Sequence, residues 1–150
     1  MDYRNAFAIS ASGMTVEKTR LDTTAVNLAN VHSTRGPDGK LFRPLTVKVG
    51  EAGASFAAGF TQLQGATLRG ATLRGAEVVR IEEANVAPRM VYEPGNPDAD
   101  AKGYVSMPGV NQVTEMVNLA SALRAYEANV VAMNAAKTMA LKALDLGGPQ

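Results

Sequence analysis

The stretch MVNLASALRAYEANVVAMNAAKTMALKAL, residues 116–144, determines which fold the chain can adopt. Its apolar residues recur at alternating spacings of three and four, the pattern of a helix that packs along one side against other helices. The members of this row are Met116, Leu119, Leu123, Tyr126, Val130, Met133, Ala140 and Leu144, and Lys137 stands at its one break. With Asn111 as a candidate N-cap, we predict a helix over residues 111–146, followed by a tail at 147–150.

The length of this helix indicates that other helices pack against it, and the residues on its outer side allow such packing. A helix of this size extends roughly 50 Å, which a single small domain cannot cover. Its most outward heptad positions hold Ser121, Ala128 and Ala135 instead of charges. These small residues allow two interpretations: high helix propensity alone, or close approach of another helix on a second side. The second interpretation implies an assembly of many helices.

A second helical pattern lies near the N-terminus, within residues 1–34. Its apolar row is Phe7, Met14, Leu21 and Leu28 at seven-residue spacing, with Ala11 and Ala25 beside it. Asp2 is a candidate N-cap. We expect the amides of Asn27 and Asn30 to cap and cross-link the far end of this helix, and the turn from Gly36 to Gly39 to terminate the helix.

The middle region, residues 35–110, changes to a β-type pattern. Its apolar runs are LTVKV at 45–49, AEVVRI at 76–81, RMVY at 89–92 and YVS at 104–106. We predict an insertion at 52–75, which contains ATLRG twice, and its Arg69 and Arg74 either touch a neighbour or remain solvated. The predicted fold is α+β, mainly α, with a small β-rich region between two long helices that form a coiled-coil layer.

The composition excludes several classes of function. Fifteen basic and fourteen acidic residues leave a net charge of +1, so we expect no attraction to nucleic acid or to anionic lipid. No cysteine is present, which removes disulfides and thiolate chemistry. The segment Met1–Ile9 lacks the charge and the apolar core of a signal peptide, and no run of residues is apolar enough to span a membrane.

The motifs for chemistry are weak. His32 is the single histidine, so a site with two histidine ligands is excluded. The segment NPDADAKGYVSM at 96–107 has oxygen ligands at alternate positions, but Ala101 and Met107 replace the glycine and the bidentate glutamate of a calcium loop. The segment SASG at 10–13 lacks the strand that precedes a nucleophilic serine. We therefore expect no catalysis, no metal and no cofactor.

Two long segments carry a resemblance to a known family. The segment RLDTTAVNLANVHSTRGPDGKLFRP at 20–44 resembles the N-terminal signature of bacterial flagellar rod, hook and axial proteins. Residues 92–147 resemble the C-terminal half of the proximal rod proteins within that family, which the GPDG turn and the segment PGNPDADAKGYV separate from other rod proteins. The middle of the chain departs from the family pattern.

The resemblance implies a structural subunit of the proximal rod, the part of the drive shaft that carries motor torque toward hook and filament. It implies export by the flagellar type III apparatus without a cleaved signal, and a place in the rod that spans the periplasm. The implied partners are copies of itself, other proximal and distal rod proteins, a rod-base adaptor, and membrane-ring or export-gate proteins, which would meet the apolar rows of both helices. The alternative is a small soluble adaptor whose terminal helices pair within one chain and whose β region binds a ligand or a regulatory partner.

Overall fold

Two long helices flank four short strands in the computed structural model, which describes residues 3–36, 39–52 and 74–147. The elements are α1 (Tyr3–Ala29), β1 (Leu45–Glu51), β2 (Ala76–Glu83), β3 (Arg89–Tyr92), β4 (Tyr104–Met107) and α2 (Gln112–Gly147). The predicted α+β fold, mainly α, is confirmed. Several predicted features lie outside the described residues: the Asp2 cap, the Pro37-Asp38 centre of the turn, residues 53–73 of the predicted insertion with Arg69 and most of both ATLRG copies, and residues 148–150 of the tail.

Strands β1 and β2 form a two-stranded ribbon. The N–H of Ala84 donates to the carbonyl of Pro44 at one end, and the N–H of Ala52 donates to the carbonyl of Gly75 at the other, as in an antiparallel pair. On one face, Lys48 Nζ lies 3.2 Å from Glu82 Oε1, and Arg80 Nε lies 2.8 Å from Glu82 Oε2. The hydrogen bond from Lys48, together with the two positive charges, lowers the pKa of the Glu82 carboxyl.

Strands β3 and β4 form an antiparallel hairpin in which Met90 faces Ser106 and Tyr92 faces Tyr104. Val105 and Met107 are buried, whereas Met90, Tyr92 and Tyr104 are exposed. The hairpin therefore has one apolar side turned into the chain and another turned to solvent.

The connection between β3 and β4 is held by its own polar groups. Asp100 Oδ1 accepts hydrogen bonds from the N–H groups of Lys102 and Tyr104, at 2.8 and 2.9 Å. Asn96 Oδ1 accepts from the N–H of Asp98 at 3.0 Å. Gly103 adopts a φ of 81°, a conformation that favours glycine, and its N–H donates to the carbonyl of Asp100.

The chain divides into two compact units whose boundaries fall inside both helices and inside β1 and β2. Unit 1 contains residues 1–18, 49–79 and 123–150, and unit 2 contains residues 19–48 and 80–122. Among the described residues, the buried side chains of unit 1 are Ser10, Val16 and Ala136. Those of unit 2 are Thr23, Thr24, Asn27, Val31, Pro44, Val105, Met107, Pro108, Val110 and Ala122.

Neither helix in the described part of the chain has an apolar stretch sufficient to cross a lipid bilayer.

Candidate assembly interface

The two helices contact each other within each unit. In unit 1, α1 approaches α2 at Gly13, where an added Cβ would lie 2.8 Å from Asn129 Oδ1. In unit 2, Asn27 Nδ2 lies 3.4 Å from Glu115 Oε2. Pairing of the terminal helices within one chain, expected only for the adaptor alternative, therefore occurs here and does not discriminate between the two functions.

The buried side of α1 is made mostly of small and polar residues, of which only Asn27 was predicted from the sequence to make contacts, as a residue of the helix end. Its buried members are Ser10, Val16, Thr23, Thr24 and Asn27. Local bonds help to satisfy their polar groups, as when the hydroxyl of Thr23 donates to the carbonyl of Thr19 at 2.8 Å. A row of small side chains at helical spacing was the available signal, but small polar residues occur on solvated faces just as readily.

The apolar row of α1 lies beside that buried side and is only partly covered. Phe7, Met14, Leu21 and Leu28 are partly buried, and Ala25 is exposed. None of these five residues is among the buried residues of the chain. The largest apolar side chains of α1 therefore retain surface for contacts outside the chain.

The apolar row of α2 likewise lies beside the buried side of its helix. Its most buried residues are Ala122 and Ala136, each one position before a member or a break of the predicted row. Leu119, Tyr126, Val130 and Met133 are partly buried, while Met116, Leu123 and Leu144 are exposed. At 49% for Met116 and 46% for Leu123, about half of each residue remains accessible, so the helix presents a half-covered apolar flank.

A further exposed apolar stripe runs along the side of α2 that lies opposite the buried Ala122. Val113, Val117 and Val131 are all more than half exposed, and the spacings of four and fourteen residues place them near one helix face. Ala120, Ala128 and Ala135 are exposed as well. This outer side carries small, apolar residues, as the sequence indicated. A helix whose outer side remains in contact with solvent usually carries charged and polar residues there.

The predicted helix-end residues occupy capping and turn positions. Asn111 Oδ1 accepts hydrogen bonds from the N–H groups of Val113 and Thr114, and Asn30 Nδ2 donates to the carbonyl of Val26 at 2.9 Å. The N–H of Gly39, at a φ of 74°, donates to the carbonyl of Gly36.

Asn27 has a larger role than a cap. Its Oδ1 accepts from the N–H of Leu45 at 2.7 Å, and its Nδ2 donates to the carbonyl of the same residue at 2.9 Å. The side chain therefore pairs with the start of β1 as a neighbouring strand would, while it also reaches Glu115 on α2.

The side chains considered for chemistry are engaged in structural contacts or exposed. His32 is exposed. Asp98 accepts from the hydroxyl of Thr34 at 2.6 Å and pairs with Arg35 at 3.1 Å, so its carboxylate is already compensated. A surface depression of about 1010 Å³ in unit 2 is lined by Arg35 and by Arg43, which lies 3.7 Å from Glu83. Within the described ranges, no three metal-binding side chains lie close enough together to hold an ion.

Comparisons with known proteins identify the family. The family model described as flagellar basal body rod FlgEFG protein C-terminal matches residues 101–146. The chain is 44% identical over 145 residues to the flagellar basal-body rod protein FlgC of Escherichia coli O6:H1, which covers 95% of this chain and 96% of that protein. It is 40% identical to FlgC of Bacillus subtilis, covering 93% and 94%, and 34% identical to FlgC of Borreliella burgdorferi, covering 91% of each. Since these relatives match over nearly their whole length, the chain belongs to the FlgC family of flagellar basal-body rod proteins.

Proposed function

We propose that this chain is a structural subunit of the proximal rod of a bacterial flagellar basal body, and not an enzyme. It assembles with copies of itself and with other proximal and distal rod proteins into the shaft that carries torque to hook and filament. At the rod base it meets an adaptor and membrane-ring or export-gate proteins. It reaches the periplasm through the flagellar type III apparatus without a cleaved signal.

The half-covered apolar flank of α2 is the observation that best supports this function. Burying a large apolar side chain is favourable by about 1.5–3 kcal/mol relative to leaving it exposed, so Met116 and Leu123 favour a neighbour. The partly buried row of α1, from Phe7 to Leu28, adds a second surface of the same kind. In this proposal the rows of both helices, including Ala25 and the segment from Leu119 to Leu144, form the assembly interface.

The test introduces a charge into the exposed row. We expect Leu123→Asp to abolish swimming in a strain that lacks the native gene, because an unpaired carboxylate would be buried in the interface at a cost of several kcal/mol. The measurements are swimming in soft agar and the amount of the chain in purified basal bodies. The variant should be absent from basal bodies but present in the cells.

The matched control is Asn118→Asp, which makes the same change in charge at an exposed position of α2 outside both the row and the stripe of Val113, Val117 and Val131. This control should swim and enter basal bodies as the parent does. Normal swimming by Leu123→Asp would show that the row is not an interface and would remove the main support for the proposal.

A further inference from the structure

The outer face of the β3–β4 hairpin is an aromatic surface of which about half remains exposed to solvent. It is defined by Met90, Tyr92 and Tyr104, of which Tyr92 is 62% exposed. The rings of Tyr92 and Tyr104 lie 5.3 Å apart in an edge-to-face arrangement. A Cβ added to Gly103 would lie 2.8 Å from Tyr92 Cε2, so the ring also rests closely against the backbone of the connection.

Aromatic residues and methionine are enriched at the centres of interfaces, and the rigid aromatic rings lose little side-chain entropy when they bind. Glu93 follows Tyr92 directly and is exposed, and Asn96 Nδ2 donates to its Oε2 at 3.1 Å. The hairpin face therefore combines apolar anchors with an adjacent negative charge.

The C-terminal part of α2 offers the complementary surface. Lys137, Leu141 and Leu144 have spacings of four and three, which place them on one face of the helix. Leu141 and Leu144 are 52% and 72% exposed, and Lys137 is exposed too. Lys137 interrupts the apolar row of α2. Packing between apolar rows does not explain a charged residue at that position.

We propose that Lys137, Leu141 and Leu144 of one copy dock on the hairpin face of a second copy, with Lys137 facing Glu93. The leucines cover the exposed rings and Met90, and the lysine compensates the carboxylate beside Tyr92. The two surfaces differ, so the contact is head-to-tail and leaves one surface free on each end to bind the next copy. The inference rests on the proposed function, because a repeating contact needs an assembly that contains several copies.

Cross-linking between copies tests the contact directly, since the chain has no native cysteine. Glu93→Cys and Lys137→Cys chains are produced together in a strain that lacks the native gene, and purified basal bodies are treated with a short bismaleimide. A bismaleimide is used because the side chains of an ion pair span more than the roughly 4.4–6.8 Å between Cα atoms that a disulfide requires. We expect mass spectrometry to identify a peptide from around residue 93 linked to one from around residue 137.

The matched control replaces Lys137→Cys with Lys142→Cys, which lies about 140° further around the same helix. This pair should give several-fold less linked peptide. Basal bodies that contain both the 93 and 137 variants without the linked peptide would overturn the inference and leave the proposed function intact. Basal bodies that lack even the unaltered chain would instead contradict the proposed function.

A charge exchange provides a second test that needs no cysteine. We expect Lys137→Glu and Glu93→Lys each to lower incorporation into basal bodies roughly two- to fivefold, the range for a solvent-exposed ion pair. The two changes together should restore incorporation, because the pair is re-formed with opposite polarity. Losses that simply multiply in the double variant would refute the pairing of these residues.

Discussion

At the scale of single residues, the side chain of Asn27 connects three elements of unit 2. It is 3% exposed, and its amide pairs with both backbone groups of Leu45 and reaches Glu115. An asparagine is suited to this position because one planar group supplies a donor and an acceptor side by side. The end of α1, the start of β1 and the start of α2 are therefore fixed relative to one another by a single side chain.

Replacing this asparagine by aspartate tests that role. Asn27→Asp retains the acceptor for the N–H of Leu45 but removes the donor, and it places a carboxylate beside a carbonyl and beside Glu115. We expect the free energy of unfolding to fall by about 2–4 kcal/mol at neutral pH. Urea unfolding of the purified chain, followed by circular dichroism, measures the change.

Asn30→Asp is the control, because within the described part of the chain the side chain of Asn30 makes a local bond to the carbonyl of Val26 at an exposed site. We expect it to cost less than about 1 kcal/mol. Equal losses at the two positions would mean that the contacts of Asn27 with Leu45 and Glu115 contribute little.

At the scale of elements, each helix turns small residues toward the rest of its own chain and leaves larger ones at the flank. Gly13 allows α1 to approach Asn129 on α2, and Ala122 and Ala136 are the buried residues of α2. Close approach of two helices depends on such small side chains, which bury little apolar area themselves. The same helices can therefore pair within the chain and still offer their large apolar residues to neighbours.

The contact at Gly13 can be measured as a coupling between two substitutions. Gly13→Ala improves helix propensity by about 1 kcal/mol, but its methyl group collides with Asn129. Asn129 Nδ2 donates to the carbonyl of Ala125, so a rotation away from the methyl group would lose that bond. We therefore expect Gly13→Ala alone to leave α1 unchanged or less stable.

In an Asn129→Ala background, the same Gly13→Ala change should stabilise α1 by about 0.5–1 kcal/mol, because propensity then acts without the collision. Hydrogen exchange at the amides around residue 13 gives the local free energy of opening for the four chains of this cycle. Equal effects of Gly13→Ala in both backgrounds would show that the two helices do not touch at this point.

At the scale of the whole molecule, the sequence predicted the elements better than their packing. The cap at Asn111 follows from local rules, and the β-type runs lie within the observed strands. The predicted turn at Gly36 lies beyond the end of α1 at Ala29. The buried side of α1 could not be predicted, since Thr23 and Thr24 are buried by virtue of contacts that only the assembled fold supplies. The apolar rows of both helices were predictable from the heptad spacing. Their position beside the buried side of each helix was not, because it depends on which small residues pack against the rest of the chain.

The uneven burial of the two units leads to a prediction about the isolated chain. Unit 2 buries Val31, Val105, Met107 and Val110, whereas the described part of unit 1 buries only Ser10, Val16 and Ala136. Helical stability derives mostly from packing of an apolar side, and among the described residues the half-helices of unit 1 have fewer buried apolar side chains to stabilise them. We expect amides in residues 3–18 and 123–145 to exchange faster than those in 19–29 and 112–122, and to become protected when the chain is part of a rod.

Hydrogen exchange followed by mass spectrometry, on the purified chain and on purified basal bodies, makes this comparison along both helices. Asn27→Asp serves as the internal reference, because it should accelerate exchange in residues 19–29 while leaving 3–18 as fast as before. Uniform, strong protection from residue 3 to residue 29 and from 112 to 145 in the isolated chain would contradict the prediction. The helices would then be complete before assembly, and their exposed apolar rows would dock as preformed surfaces.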